Sequence, residues 1–244
     1  MFRLIILSLL VVVTTILNRA GQQKDALRNP SLVKLNMKME RPKLSSSAFS
    51  RPGPEMQIQS SALNLTEMEF MGVLYNNDLH KQKDFHYSVN IQNRCILKSQ
   101  QEQESLLEFD VPAGQYLSAR VLLHFSNQDS LPAMTLQGLW HRKGNNKPIP
   151  VEFVCYDLPE LLPVDLDQEN NTQTILFPQK GLSRLQVVFR PHSVLGKGWQ
   201  PKTVKMHPHK SHEGYRLILS QNQNPKLHRF FLENLHHSMQ AMVY

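Results

Sequence analysis

The 244-residue chain is 41% hydrophobic and carries a net charge of +7, a globular composition that excludes wholesale disorder. Much of the positive excess lies in the N-terminal third, where Lys24, Arg28, Lys34, Lys38, Arg41, Lys43 and Arg51 face Asp25, Glu40 and Glu55. No row of Arg or Lys alternates with aromatics that would stack bases, so no nucleic acid is expected as a partner.

Arg3 precedes residues 4–17, an uncharged apolar run that fits the core of a secretory signal and falls short of the roughly 20 residues a membrane span needs. Residues 1–20 are therefore expected to be a signal peptide or signal anchor, and the protein to be secreted or extracytoplasmic. A single-pass anchor with membrane association through residues 4–17 stays open, because Asn18 stands where a second small residue would precede the Ala20-Gly21 cut. Residues 21–60 include RPKLSSSAFSRPGPE, a mixture of Pro, Ser and charge, and read as a basic flexible linker. It is either a plain spacer or a basic stalk against anionic lipid or polymer.

Strand patterns occupy residues 61–222. Phe70, Val73, Leu74 and Tyr75 precede a turn signal at Asn76-Asn77-Asp78, and Phe85, Tyr87, Val89 and Ile91 alternate with His86, Ser88, Asn90 and Gln92. The most telling stretch is Ser105–Phe125. There Leu107, Phe109 and Val111 form one apolar face, Pro112-Ala113-Gly114 turns the chain, and Leu117, Ala119, Val121, Leu123 and Phe125 resume on a period of two. Further strands are expected at Met134–Trp140, Ile149–Cys155, Thr174–Phe177, Leu185–Phe189 and Tyr215–Leu219. Gly144-Asn145-Asn146 makes a hairpin turn, and Leu158–Glu169 makes an acidic, Pro-marked loop. Turn chemistry leans on Pro, at 15 residues, rather than on Gly, at 10. The expected class is all-β: an antiparallel β-sandwich, jelly-roll-like, of about 8 strands. The last unit, residues 223–244, is expected to be a C-terminal amphipathic helix. Asn224 would cap it, Pro225 would begin it, and Leu227, Phe230, Phe231, Leu235 and Met239 would share one stripe.

The segment LLEFDVPAGQYLSARVLLHF resembles the strand–turn–strand piece of secreted jelly-roll domains, among them carbohydrate-binding modules of cell-surface proteins and growth-factor propeptides. It covers about 20 of the 244 residues. A growth-factor precursor carries a cysteine-rich C-terminal domain as well, whereas this sequence holds 2 cysteines, and no family is assigned.

Those cysteines, Cys95 and Cys155, are expected to pair as one disulfide in an exported chain, closing about 60 residues, with two buried thiols as the alternative. His207, His209 and His212, with Glu213 nearby, form the most site-like cluster. Histidines two apart on an extended segment share a side, and a third could complete a Zn²⁺ or Cu²⁺ site, although Lys202, Lys205 and Lys210 oppose a dication. Asp157, Glu160, Asp165, Asp167 and Glu169 offer carboxylates for hydrolysis or Ca²⁺, but crowd one loop. Asn64-Leu65-Thr66 and Asn170-Asn171-Thr172 match the N-glycosylation rule. No catalytic residue and no cofactor is assigned. The leading expectation is an exported, non-enzymatic β-sandwich acting as a surface binding, adhesion or interaction module for a protein or carbohydrate ligand. The alternatives are a secreted hydrolase using the acidic loop or His cluster, and an extracytoplasmic metal-binding protein.

Overall fold

One strand, β2 (Glu55–Asn76), organises the chain. The computed structural model describes residues 30–40, 55–76, 81–98, 106–126, 131–141, 147–167, 174–179, 181–195, 204–209 and 214–244, and joins 13 strands into one mixed sheet. β3 (Lys81–Lys98) runs antiparallel along one edge of β2, from Ser60 to Asn76. The opposite edge of β2 is shared end to end. β5 (Gly114–Phe125) pairs with residues 65–75, and β6 (Met134–His141) with residues 55–63.

Two branches grow from this fork. From β6 the order continues through β7 (Ile149–Cys155) and β12 (Tyr215–Leu219) to β11 (His207–Pro208). From β5 it continues through β8 (Leu161–Asp167), β13 (Met239–Val243), β10 (Leu182–Phe189) and β1 (Pro30–Met39) to β4 (Leu107–Pro112). A short β9 (Ile175–Phe177) pairs with the start of β5. Three pairs are parallel: β1 with β10, β12 with β7, and β13 with β8. The all-β expectation therefore holds, but the wholly antiparallel arrangement does not. A parallel pair needs a long crossover, and nothing in a local alternation announces one.

The second branch curls until β4 faces β2 and β3. Phe70 of β2 sits at the centre of the resulting core, its ring 6.2 Å from Phe85, 5.9 Å from Phe109, 6.0 Å from Tyr116 and 5.7 Å from Phe177. Tyr116 is fully buried; burial pushes its phenol pKa up, and its hydroxyl donates to the Pro112 carbonyl at 2.8 Å. Gly72 makes room for it, since a Cβ there would lie 2.5 Å from Tyr116 Cδ1. The helix α1 (Pro191–Leu195) packs against α2 (Pro225–Leu235) and touches β2, while α2 reaches β12.

Bulges decide which residues enter the core. Around Thr66 the inward set on β2 switches from Leu63 and Leu65 to Met68 and Phe70. The Ile58–Ser60 step switches phase again, and Gly138 lies opposite it, where a Cβ would meet the Gln57 carbonyl oxygen. In β5 the extra residue is Leu117. Tyr116 takes the buried place and Leu117 is left 39% exposed, whereas an unbroken period of two predicts Leu117 inside.

Three expected boundaries change. Residues 21–60 are not all linker: β1 lies within them and β2 begins there. Val33, Leu35, Met37 and Met39 of β1 are buried, on a clean alternation inside a basic, Pro- and Ser-rich setting; β10 pairs with β1 from Leu32 to Met39, and β4 pairs with it from Pro30 to Leu35. The loop expected at Leu158–Glu169 contains β8, which buries Leu162, Val164 and Leu166. In residues 223–244 the α-helix ends at Leu235, a 3-10 turn spans His236–Ser238, and Met239 begins β13 rather than extending the helical stripe. Residues 1–29, with the expected leader, lie outside the described residues. Among those described, no helix is long and apolar enough to cross a membrane.

Candidate functional site

The outer face of β2, β3 and β5 carries a connected group of polar side chains. Past the Thr66 bulge, Met68 and Phe70 point inward, so Glu67 and Glu69 stand together on the outer face. Pairing places Glu67 opposite His124 of β5 and opposite Asn90 of β3, while His86 lies opposite Met71. Glu69 is thus the diagonal neighbour of both histidines, within the reach of long side chains. His124 Nε2 donates to Glu69 Oε1 at 2.6 Å, and His86 Nε2 donates to Oε2 at 2.6 Å. Ser88 Oγ donates to Glu67 Oε1 at 2.7 Å, and Thr66 Oγ1 donates to the His124 carbonyl at 3.4 Å.

The side chains of Glu69 and His124 are each 19% exposed, and that of His86 is 55% exposed. Burial works to raise the Glu69 pKa. The hydrogen bonds from His86 and His124, with the charge each ring carries when protonated, outweigh it and hold the carboxyl below its usual range. Glu69 is therefore ionised at neutral pH. One donor atom each from Glu67, Glu69 and His124 lie within 4.8 Å of one another. The group is a carboxylate–imidazole set, which suits a borderline divalent cation. Sequence reasoning missed it. Its only sequence signal is polar residues at alternate strand positions, and which strands meet cannot be read from spacing.

The structure places the predicted site residues elsewhere. His207 and His209 bracket β11 but take different partners: His207 Nε2 donates to Gln223 Oε1 at 3.2 Å, and His209 Nε2 to Glu152 Oε2 at 3.2 Å. Arg216 Nε lies 3.3 Å from the same Glu152 oxygen. His212 and Glu213 lie outside the described residues, as do Glu169 and the Asn170 sequon. Asp165 of the expected acidic loop pairs with Arg120 of β5 at 3.4 Å, both side chains well exposed.

The expected disulfide is corrected. Cys95 of β3 pairs with Leu63 of β2, Leu63 with Met134 of β6, and Met134 with Cys155 of β7. The cysteines therefore sit in one transverse row, three strand spacings or roughly 14 Å apart. A disulfide needs Cα atoms within about 7 Å. Both residues are buried with no disulfide between them. Burial, with the nearby Asp157 charge adding to it against an opposing backbone hydrogen bond, pushes the Cys155 thiol pKa up to about 12.

No protein-family model, no curated protein and no solved structure matches this chain.

Proposed function

We propose that the chain is an exported, non-enzymatic interaction module that binds an extended, acidic segment of a protein partner along the outer edge of β3. The apolar run at residues 4–17 supports export. The facing layers are read as a jelly-roll-like sandwich that has taken in parallel pairs.

The observation that carries the reading is β3 itself. It is 18 residues long, bonded to β2 on one edge, and paired with no other strand among the described residues. Such an edge presents backbone donors and acceptors to an added strand. Tyr87, Val89 and Ile91 are only half-buried along it, and Ile96 is 50% exposed, so an added strand would cover apolar surface. Lys81, Lys83, Arg94 and Lys98 lie toward its two ends and favour acidic partner residues.

The test is photo-crosslinking from Asn90 or Ile96 in the full chain produced by its native cells. Leu176, 60% exposed on β9, serves as the control position. The expected result is a protein adduct from the β3 positions and protection of β3 amides from exchange once the captured partner is added back. Equal capture from Leu176, capture of glycan alone, or no β3 protection would overturn the reading.

A further inference from the structure

We infer that Glu67, Glu69 and His124 form a binding site for one divalent transition cation, with Zn²⁺ the best fit, on the outer face of β2 and β5. The inference stands apart from partner binding at β3.

Reach comes first. Two ligand atoms about 2.0–2.2 Å from a common Zn²⁺ are at most roughly 4.4 Å apart. Donors already within 4.8 Å meet that limit after side-chain adjustments well under the length of a bond. The backbone need not move. Three hydrogen-bonded strands hold the residues, and the Thr66 bulge sets Glu67 directly opposite His124.

The donors are also oriented from behind. Ser88 holds Glu67 Oε1, leaving Oε2 for the ion, and His86 holds Glu69 Oε2, leaving Oε1. Hydrogen bonds of this kind, which fix a ligating carboxylate, are a regular feature of metal sites. His124 Nε2 now donates to Glu69 Oε1. On binding, Nε2 gives up its proton and its lone pair takes the ion, with the ring's remaining proton on Nδ1. Uptake by the neutral ring is therefore a tautomer shift with no net release, whereas uptake by the doubly protonated ring releases one proton to solvent.

The donor set selects the ion. One imidazole and two carboxylates suit Zn²⁺, whereas Ca²⁺ prefers six to eight oxygens and Mg²⁺ retains most of its water. The two carboxylates offset the ion's double charge. The fourth position is left to water.

The test is isothermal titration of the metal-stripped full chain with Zn²⁺, and separately with Ca²⁺ and Mg²⁺. Ring-nitrogen NMR of His124 is followed in the same samples. The expected result is saturable binding of Zn²⁺ at one ion per chain, a shift of the His124 Nε2 resonance, and no saturable binding of Ca²⁺ or Mg²⁺. Glu67→Gln and His124→Gln should abolish the binding, and His86→Gln should weaken it by roughly tenfold. The unmodified chain decides the matter even if a variant fails to fold. Absence of saturable Zn²⁺ binding, an unmoved His124 resonance, or loss of binding on His207→Ala and His209→Ala instead would overturn the assignment.

Discussion

The rings of Tyr87 and Phe109 lie stacked, their centroids 5.1 Å apart and their planes 9° from parallel, although no hydrogen-bonded ladder joins their strands. This contact closes the curl of the sheet, laying β4 over β3, with Phe109 also 5.9 Å from Phe70. Burial, and the Asp110 charge beside it, raise the Tyr87 pKa. Phe109→Ala should cost about 3–5 kcal/mol in denaturant unfolding, as large aromatic truncations do. Tyr87→Ala should cost less, since that ring is only half-buried. A double-mutant cycle should return about 0.5–1.5 kcal/mol of coupling. Strictly additive effects would mean that the layers do not meet there.

Asn224 works in a way its position before Pro225 does not announce. It is buried in the left-handed region, at φ 57° and ψ 48°, and its side chain makes no helix cap. Its Oδ1 instead accepts from the Lys205 amide at 2.6 Å, and its Nδ2 donates to the carbonyls of Lys205 at 3.0 Å and Ile218 at 3.1 Å. Asn224→Ala removes these bonds and leaves a Cβ residue at positive φ, for a loss of about 2–4 kcal/mol. Asn224→Gly should cost less by relieving the backbone. Hydrogen exchange should quicken first around Lys205 and β11; unchanged exchange there would contradict the role.

Cys155 gives an alkaline signature. Its thiol titrates near 9.0 when unperturbed and at about 12 in the fold, so folding favours the protonated form. That contribution is complete below pH 9 and is lost as pH rises through the interval to 12. Stability should fall over this range, and less steeply in Cys155→Ala. Iodoacetamide at pH 8 should label Cys155 only after denaturation, and reduction should leave the intact mass unchanged. A reductant-sensitive mass would overturn the strand register.

The Asn64 sequon lies at the fork of the sheet. The Asn64 amide donates to the Ala133 carbonyl at 3.0 Å, its carbonyl accepts from Ser126 at 2.8 Å, and its Nδ2 donates to the Pro132 carbonyl. The nitrogen that would carry a glycan therefore holds the junction of β5 and β6. Peptide mass spectrometry of the protein from eukaryotic secretory cells should find Asn64 unmodified. Full occupancy there would contradict this placement.

Local alternation located β3 to β7, β9, β10 and β12, because one face of each meets the core and the other meets solvent. It would have located β1 too: SLVKLNMKM alternates as cleanly as any strand here, but its basic, Pro- and Ser-rich setting reads as linker. β8 is masked by Pro163, which β8 tolerates because β13 reaches only Leu166 and Asp167. β13 is masked by the helix before it, since Met239 continues a helical stripe as readily as it begins a strand. The Glu67–Glu69–His124 group was illegible, because its three residues meet only when β2 and β5 pair across a bulge.

Composition and period alone determined the all-β class, most strand positions and the helix beginning at Pro225, since each follows from neighbours a few residues apart. Tertiary structure decided the parallel pairs, the curl closed by Phe109, the separation of Cys95 from Cys155 and the face that Glu69 shares with two histidines. Those depend on register and on which strands lie side by side. A single inserted residue such as Thr66 or Leu117 changes the face of everything after it, and its effect appears only against the partner strand.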